Sequence, residues 1–262
     1  MGSDYEQMGE TRMKDVHWYP RLGDFGRLGN QLFQVASVIG IAMARVEEFR
    51  IQPDWKYRRW LSIPSQFYAY VHPGCPHDGY LQNLSYFQQH GHVIREWFKP
   101  SPYGQEQLSR LVAEYGDPSD AVAVHVRCGD YLEMQDLFTC LPTSYYAEAI
   151  ECLRLAGAPA QRIVLFSDDP KVAVERVRPV LASTPYIVPS WDGPDADMAM
   201  LQYMRMCGAH VIANSTFSWW AAWLAGHSHV WSPSRWGEGD FEFQGRAMTI
   251  IPDNWRVVEV RR

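Results

Sequence analysis

The sequence predicts an α/β protein whose parallel sheet carries helices on both faces, and three observations lead there. From Gln105 onward, short runs rich in Val, Ile, Leu and Ala alternate with longer segments whose apolar residues recur every three or four positions. The connections between them are short, which makes successive strands run parallel with a helix crossing back over the sheet. Polar clusters stand directly behind three of the apolar runs, at the strand ends where open parallel sheets bind ligands.

The elements follow in order. Val16 opens a short strand that passes through the Gly-rich turn Leu22-Gly-Asp-Phe-Gly-Arg-Leu-Gly29 into a helix marked by Leu32, Phe33, Ala36, Ile39 and Met43. Phe49 to Pro53 reads as the next strand. Three prolines, Pro64, Pro73 and Pro76, make residues 62–78 irregular. Leu81 to His90 begins another helix, and Lys99-Pro-Ser-Pro-Tyr-Gly104 is the best linker. Beyond it the pattern gives helix Gln105 to Tyr115, strand Ala121 to Arg127, helix Ser144 to Ala156, strand Arg162 to Phe166 and helix Lys171 to Val180. Then come strand Tyr186 to Val188, helix Asp195 to Met206, strand His210 to Ala213, helix Phe217 to Ala225 and strand Val230 to Trp231. The organisation expected is a loose tail over 1–15, a less regular α/β half over 16–103 and a Rossmann-like half over 104–262.

Composition narrows the function. With 262 residues, 47% hydrophobic and 21% charged, the chain is an ordinary globular protein of one large or two small domains. A formal net charge of −6 argues against a nucleic-acid binder, which needs a basic face. Eleven Trp and fourteen Tyr suit either a heavy core or platforms for sugar rings. No apolar stretch reaches the ~18–20 residues of a membrane span, and residues 1–14 lack the apolar core of a secretory signal. Five cysteines without a CxxC pair fit a reducing compartment, so a cytoplasmic location is expected, with peripheral contact at a membrane surface left open.

The polar clusters are His125-Val-Arg-Cys-Gly-Asp130, Ser167-Asp-Asp169 and Asn214-Ser-Thr216, and a fourth, Gly26-Arg-Leu-Gly-Asn-Gln31, opens the first helix of the other half. Arg127 has the guanidinium best shaped for phosphate oxygens, or it forms a loop-stabilising pair with Asp130. His125 is either a satisfied core histidine or a polariser of the site. Asp168 can accept hydrogen bonds from a base or ribose, the two aspartates can hold a divalent ion, and Asp169 before Pro170 can cap the next helix. Asn214, Ser215 and Thr216 deliver hydroxyls to a helix start that favours anions, or simply cap it. The sequence contains no GxxxxGK[ST], HExxH or GxSxG motif.

Six segments in order resemble the α-1,2-fucosyltransferase family: Gly26 to Gln34, Gly79 to Phe87, Val124 to Tyr131, Leu141 to Ile150, Phe166 to Asp169, and Ile212-Ala-Asn-Ser-Thr-Phe-Ser-Trp-Trp-Ala-Ala-Trp-Leu224. The last is the most specific. The resemblance implies a GT-B-type architecture, two Rossmann-like halves facing a cleft, and an inverting transfer of L-fucose from GDP-fucose to a galactose 2-hydroxyl without an essential metal. It places the donor diphosphate on Arg127, guanine or ribose on Asp168, and the β-phosphate near Ser215, Thr216 and Ser218, with Asn214 also on the donor side. Gly29, Arg27 and Asn30 face the transferred sugar or a galactose-containing oligosaccharide acceptor. Candidates for taking up the acceptor proton are Asp130, Glu133, Asp136, His125 and Asp24. Cys128 departs from the family, which usually has a second Arg there. Rivals are a transferase for another GDP-sugar or hydroxyl, and a non-catalytic carbohydrate-binding protein on the same fold. Tyr57, Trp60, Tyr68 and Tyr70 are either sugar platforms or, as the more common case, ordinary core or surface aromatics.

Overall fold

The computed structural model describes residues 15–71, 74–128, 140–181, 184–236 and 250–260. Its strands are β1 (Val16–Trp18), β2 (Glu48–Phe49), β3 (Cys75–Pro76), β4 (Ala121–Val126), β5 (Arg162–Ser167), β6 (Tyr186–Ile187), β7 (Ala209–Val211), β8 (Val230–Pro233) and β9 (Arg256–Val258). Its α-helices are α1 (Leu28–Arg45), α2 (Gly91–Trp97), α3 (Pro102–Tyr115), α4 (Thr143–Leu155), α5 (Pro170–Leu181), α6 (Ala196–Arg205) and α7 (Thr216–Ala225). The strands form a three-stranded sheet in the order β2-β1-β3 and a six-stranded sheet in the order β6-β5-β4-β7-β8-β9, with every pairing parallel.

The alternation after residue 105 thus produces the expected parallel sheet. Strand β4 sits at its centre, buried along its whole length, and its side chains divide between two cores. Val122, Val124, Val126 and Cys128 pack with Tyr145, Tyr146, Ile150 and Val177 of α4 and α5. Ala121 and Ala123 face the other cluster, which takes in α6, α7 and, across both sheets, Phe33, Phe87 and Phe98. The tryptophans concentrate there: Trp219 and Trp220 are fully buried, and Phe33 lies 4.6 and 5.0 Å from their rings. Most of the tryptophan excess is therefore core. Tyr57 and Trp60, candidates for sugar contact, are buried as well.

The first half departs from expectation in three places. Cys75–Pro76, inside the stretch read as irregular, forms β3 against β1. Asn83 accepts from the Ser85 N–H and starts a 3₁₀ turn, so residues 84–90 form two such turns and the helix begins only at Gly91. The stretch 99–104 is not a free linker. Ser101 caps α3 by accepting from the Gly104 N–H, Pro102 occupies the first turn, and the Ser62 and Ser101 N–H groups bond to Lys99 and Trp60 carbonyls. The boundary read at 103/104 falls inside α3. Strand β9 has no counterpart in the sequence reading. Among the described residues, no helix is long and apolar enough to cross a membrane.

Candidate functional site

The carboxyl ends of β4, β5 and β7 lie side by side, because β4 pairs with both neighbours. On leaving β4, the Arg127 side chain meets the carboxylate of Asp168 just beyond β5, with Nη1 2.5 Å from Oδ2. The other carboxylate oxygen, Oδ1, accepts from the Cys128 N–H at 2.9 Å. Asp168 therefore ties two strand ends together, and the guanidinium is largely buried and oriented before any ligand arrives. Asp169 does what its place before Pro170 suggested: its Oδ1 accepts from the Val172 N–H in the first turn of α5.

The departure at Cys128 has a simple geometry. The thiol points to the opposite face of the sheet from His125, is fully buried in the core with α4 and α5, and is raised in pKa mainly by that burial. It neither takes part in nor obstructs the Arg127–Asp168 arrangement.

His125 is buried, and its Nδ1 lies 2.8 Å from the Ser218 hydroxyl. Burial first, and the neighbouring Arg127 charge second, push its pKa down to about 3, with Asp168 opposing. A group so hard to protonate is a poor general base near neutral pH. Its contact fixes the start of α7 against β4. Ser218 is likewise buried, bonded to His125 and directed at the Ala213 and Ser215 carbonyls, so it does not line an open site as expected. Ser215 is the N-cap of α7 and accepts from the Phe217 N–H. Asn214 donates to the Trp236 carbonyl at 3.0 Å. Asp130, Glu133 and Asp136 lie outside the described residues.

Thr216 is the residue of this cluster that reaches the other half. Its hydroxyl donates to Asn30 Oδ1 at 3.1 Å, and Gln82 Nε2 donates to the same oxygen at 2.7 Å. The approach is close: a Cβ on Gly29 would lie 2.4 Å from Thr216 Oγ1 and 2.7 Å from the Phe217 nitrogen, so only glycine fits. The amino-terminal ends of α1 and α7 thus converge at the edge that holds Arg127, each bringing the partial positive charge of a helix start. Arg27, at the N-cap of α1, is exposed and contributes no side-chain cap. Asp24 is also exposed, on the turn before it.

Sequence reasoning missed Gln82 and a second bridge between the halves, one of several besides the Asn30–Thr216 contact. There Asp195, in a left-handed conformation with φ of 57°, accepts from Arg59 Nη2 and Trp60 Nε1, each at 3.0 Å, while Tyr57 donates to Asp197. Gln82 stood in a segment quoted for its resemblance, but nothing local shows that its amide points at Asn30. The Asp195 cluster joins residues 135 or more positions apart and leaves no local pattern.

Two parallel α/β sheets, the larger carrying a preoriented arginine beside a helix start at its carboxyl edge, form a GT-B-like arrangement. The chain belongs to glycosyl transferase family 11, whose family model matches residues 43–256. It is 33% identical over 129 residues to the O-antigen biosynthesis glycosyltransferase WbnK of Escherichia coli, covering 47% of this chain and 41% of that one. It is 26% identical to an alpha-1,2-colitosyltransferase of Escherichia coli, covering 69% of this chain and 61% of the relative. Against galactoside alpha-(1,2)-fucosyltransferase 1 of Bos taurus the identity is 24%, covering 79% and 66%. The chain thus spans between two fifths and two thirds of these relatives' lengths. In fold it is similar to a variant of Arabidopsis thaliana FUT1 solved in complex with GDP, with a TM-score of 0.55, 14% identity and coverage of 87% and 71% of the two chains.

Proposed function

We propose that the protein transfers L-fucose from GDP-fucose to the 2-hydroxyl of a terminal β-galactoside, with inversion, as a step of glycan biosynthesis. The observation that carries this reading is the convergence of the α1 and α7 helix starts beside the preoriented Arg127, joined through Asn30 and Thr216. Membership of family 11 and relatives named as α-1,2-transferases support it. As the glycosidic bond breaks, negative charge grows on the GDP phosphates, and fixed donors aimed at those oxygens lower the barrier. Arg127 supplies the cation and the first N–H groups of α7 supply the dipoles. The diphosphate competes with Asp168 for the guanidinium, while the Cys128 N–H keeps Asp168 in place. Asn30 holds the transferred sugar or acceptor from the α1 side.

The scheme invokes no metal, because Arg127 and the α7 start are the groups set against the phosphate charge. Transfer is therefore expected to persist in EDTA. A second reading changes the sugar: a relative named alpha-1,2-colitosyltransferase makes colitose the main competitor to fucose. The test incubates purified protein with GDP-fucose or GDP-colitose, with and without lactose, followed by NMR of the product linkage. GDP release that depends on lactose and an α-1,2-linked fucosyl product are expected. Release from GDP-colitose alone supports the second reading, and no GDP binding favours a carbohydrate-binding protein instead.

A further inference from the structure

We propose that the stacked rings of Phe25 and Tyr80 are the platform on which a pyranose ring of the acceptor lies; the proposal rests on the transferase reading above and extends it to a subsite. The two rings lie 4.5 Å apart at 18° to one another, and Tyr80 is 47% exposed, so one face rests on Phe25 and the other is open to water. The backbone that presents them is held firmly. Tyr19 donates to the Gly79 carbonyl at 2.8 Å, Ser37 to the Leu81 carbonyl at 3.0 Å, and Gln34 Nε2 to the Phe25 carbonyl at 2.9 Å.

Leu81 sits at φ of 52°, a left-handed conformation that a leucine adopts only when its surroundings impose it. A strained residue next to an outward aromatic, anchored on both sides, is preorganisation of that ring. The place is also right. Gln82, two residues on, bonds to Asn30, which bonds to Thr216 at the start of α7, so the platform adjoins the transfer edge.

The chemistry favours a neutral sugar. A pyranose has an apolar C–H face that suits an open aromatic ring and a rim of hydroxyls that need both donors and acceptors. Arg21, whose guanidinium is 4.7 Å from the Phe25 ring centroid, and Asp78, 4.0 Å from Arg21, offer both at the edge of the stack. With one charge of each sign there, the patch is poorly suited to a diphosphate.

The test compares wild-type protein with Tyr80→Ala and Tyr80→Phe. Saturation-transfer NMR with lactose needs no turnover, and the signal is expected in wild type and Tyr80→Phe and lost in Tyr80→Ala. In the transfer assay, Tyr80→Ala should raise the acceptor KM tenfold or more, leave GDP affinity by calorimetry unchanged, and recover in Tyr80→Phe. An unchanged acceptor KM and an unchanged lactose signal in folded Tyr80→Ala overturn the proposal. So does a parallel loss of GDP affinity, which would make the stack a base platform. A lactose signal that depends on Tyr80 in a protein that transfers nothing keeps the platform and removes the transferase reading.

Discussion

The six-stranded and three-stranded sheets bring residues to the same edge by different means. In the larger sheet, regular strands deliver Arg127 and Asp168 to adjacent ends, and one ion pair and one backbone hydrogen bond complete the arrangement. In the smaller sheet the strands are two or three residues long, and the chain between β2 and β3 consists largely of turns and irregular segments. Buried amides and hydroxyls do the positioning there: Gln31 donates to the Gly26 carbonyl and accepts from Trp55, and Gln34 bonds to Tyr19 and Phe25. Regular pairing fixes the edge of the larger sheet, whereas side-chain scaffolding holds the irregular surface of the smaller one; on the proposed function the first would bind the donor and the second the acceptor.

That contrast can be broken most forcefully at the donor edge. Arg127→Ala is expected to lower turnover by a hundredfold or more, about 2.7 kcal/mol of transition-state stabilisation, with the fold retained by circular dichroism. Next comes the junction of the halves. Gly29→Ala drives a methyl group into the Thr216 backbone and should lower unfolding stability by about 1–3 kcal/mol in urea, as overpacking does.

Acid should act on the larger sheet. Burial lowers the pKa of both His125 in β4 and His210 in β7 to about 3, against about 6.5 in the unfolded chain. Between those values the unfolded state binds more protons. Stability is then constant above about pH 7 and falls below 6.5, by about 1.4 kcal/mol per pH unit for each histidine. His125→Gln should make the measured slope shallower. The smallest effect belongs to the second bridge. Asp195→Ala removes the acceptor shared by Arg59, Trp60 and the nearby Lys56 and should cost about 1 kcal/mol in thermal or urea unfolding.

The same division explains what the sequence revealed. Strand β4, helix α7 and the cap at Asp169 are local patterns: alternation or a buried apolar run, a helix period and a Pro after an acid. The place of Arg127 at the end of β4 was legible because it follows such a run. Ser218 was misread as lining the site because its place near a helix start does not reveal that His125, 93 positions away, holds it in the core. Gln82 and Asp195 are set by contacts between segments that only the tertiary fold brings together. The helix expected at Leu81 was displaced by the Asn83 turn, whose side-chain bond competes with helix formation.

Hydrogen–deuterium exchange with and without GDP most directly tests the claim that a nucleotide diphosphate binds at the carboxyl edge of the larger sheet. The account predicts protection confined to residues 126–128, 167–169 and 214–218, and its loss in Arg127→Ala. Protection elsewhere, or GDP binding that Arg127→Ala leaves intact, would contradict it.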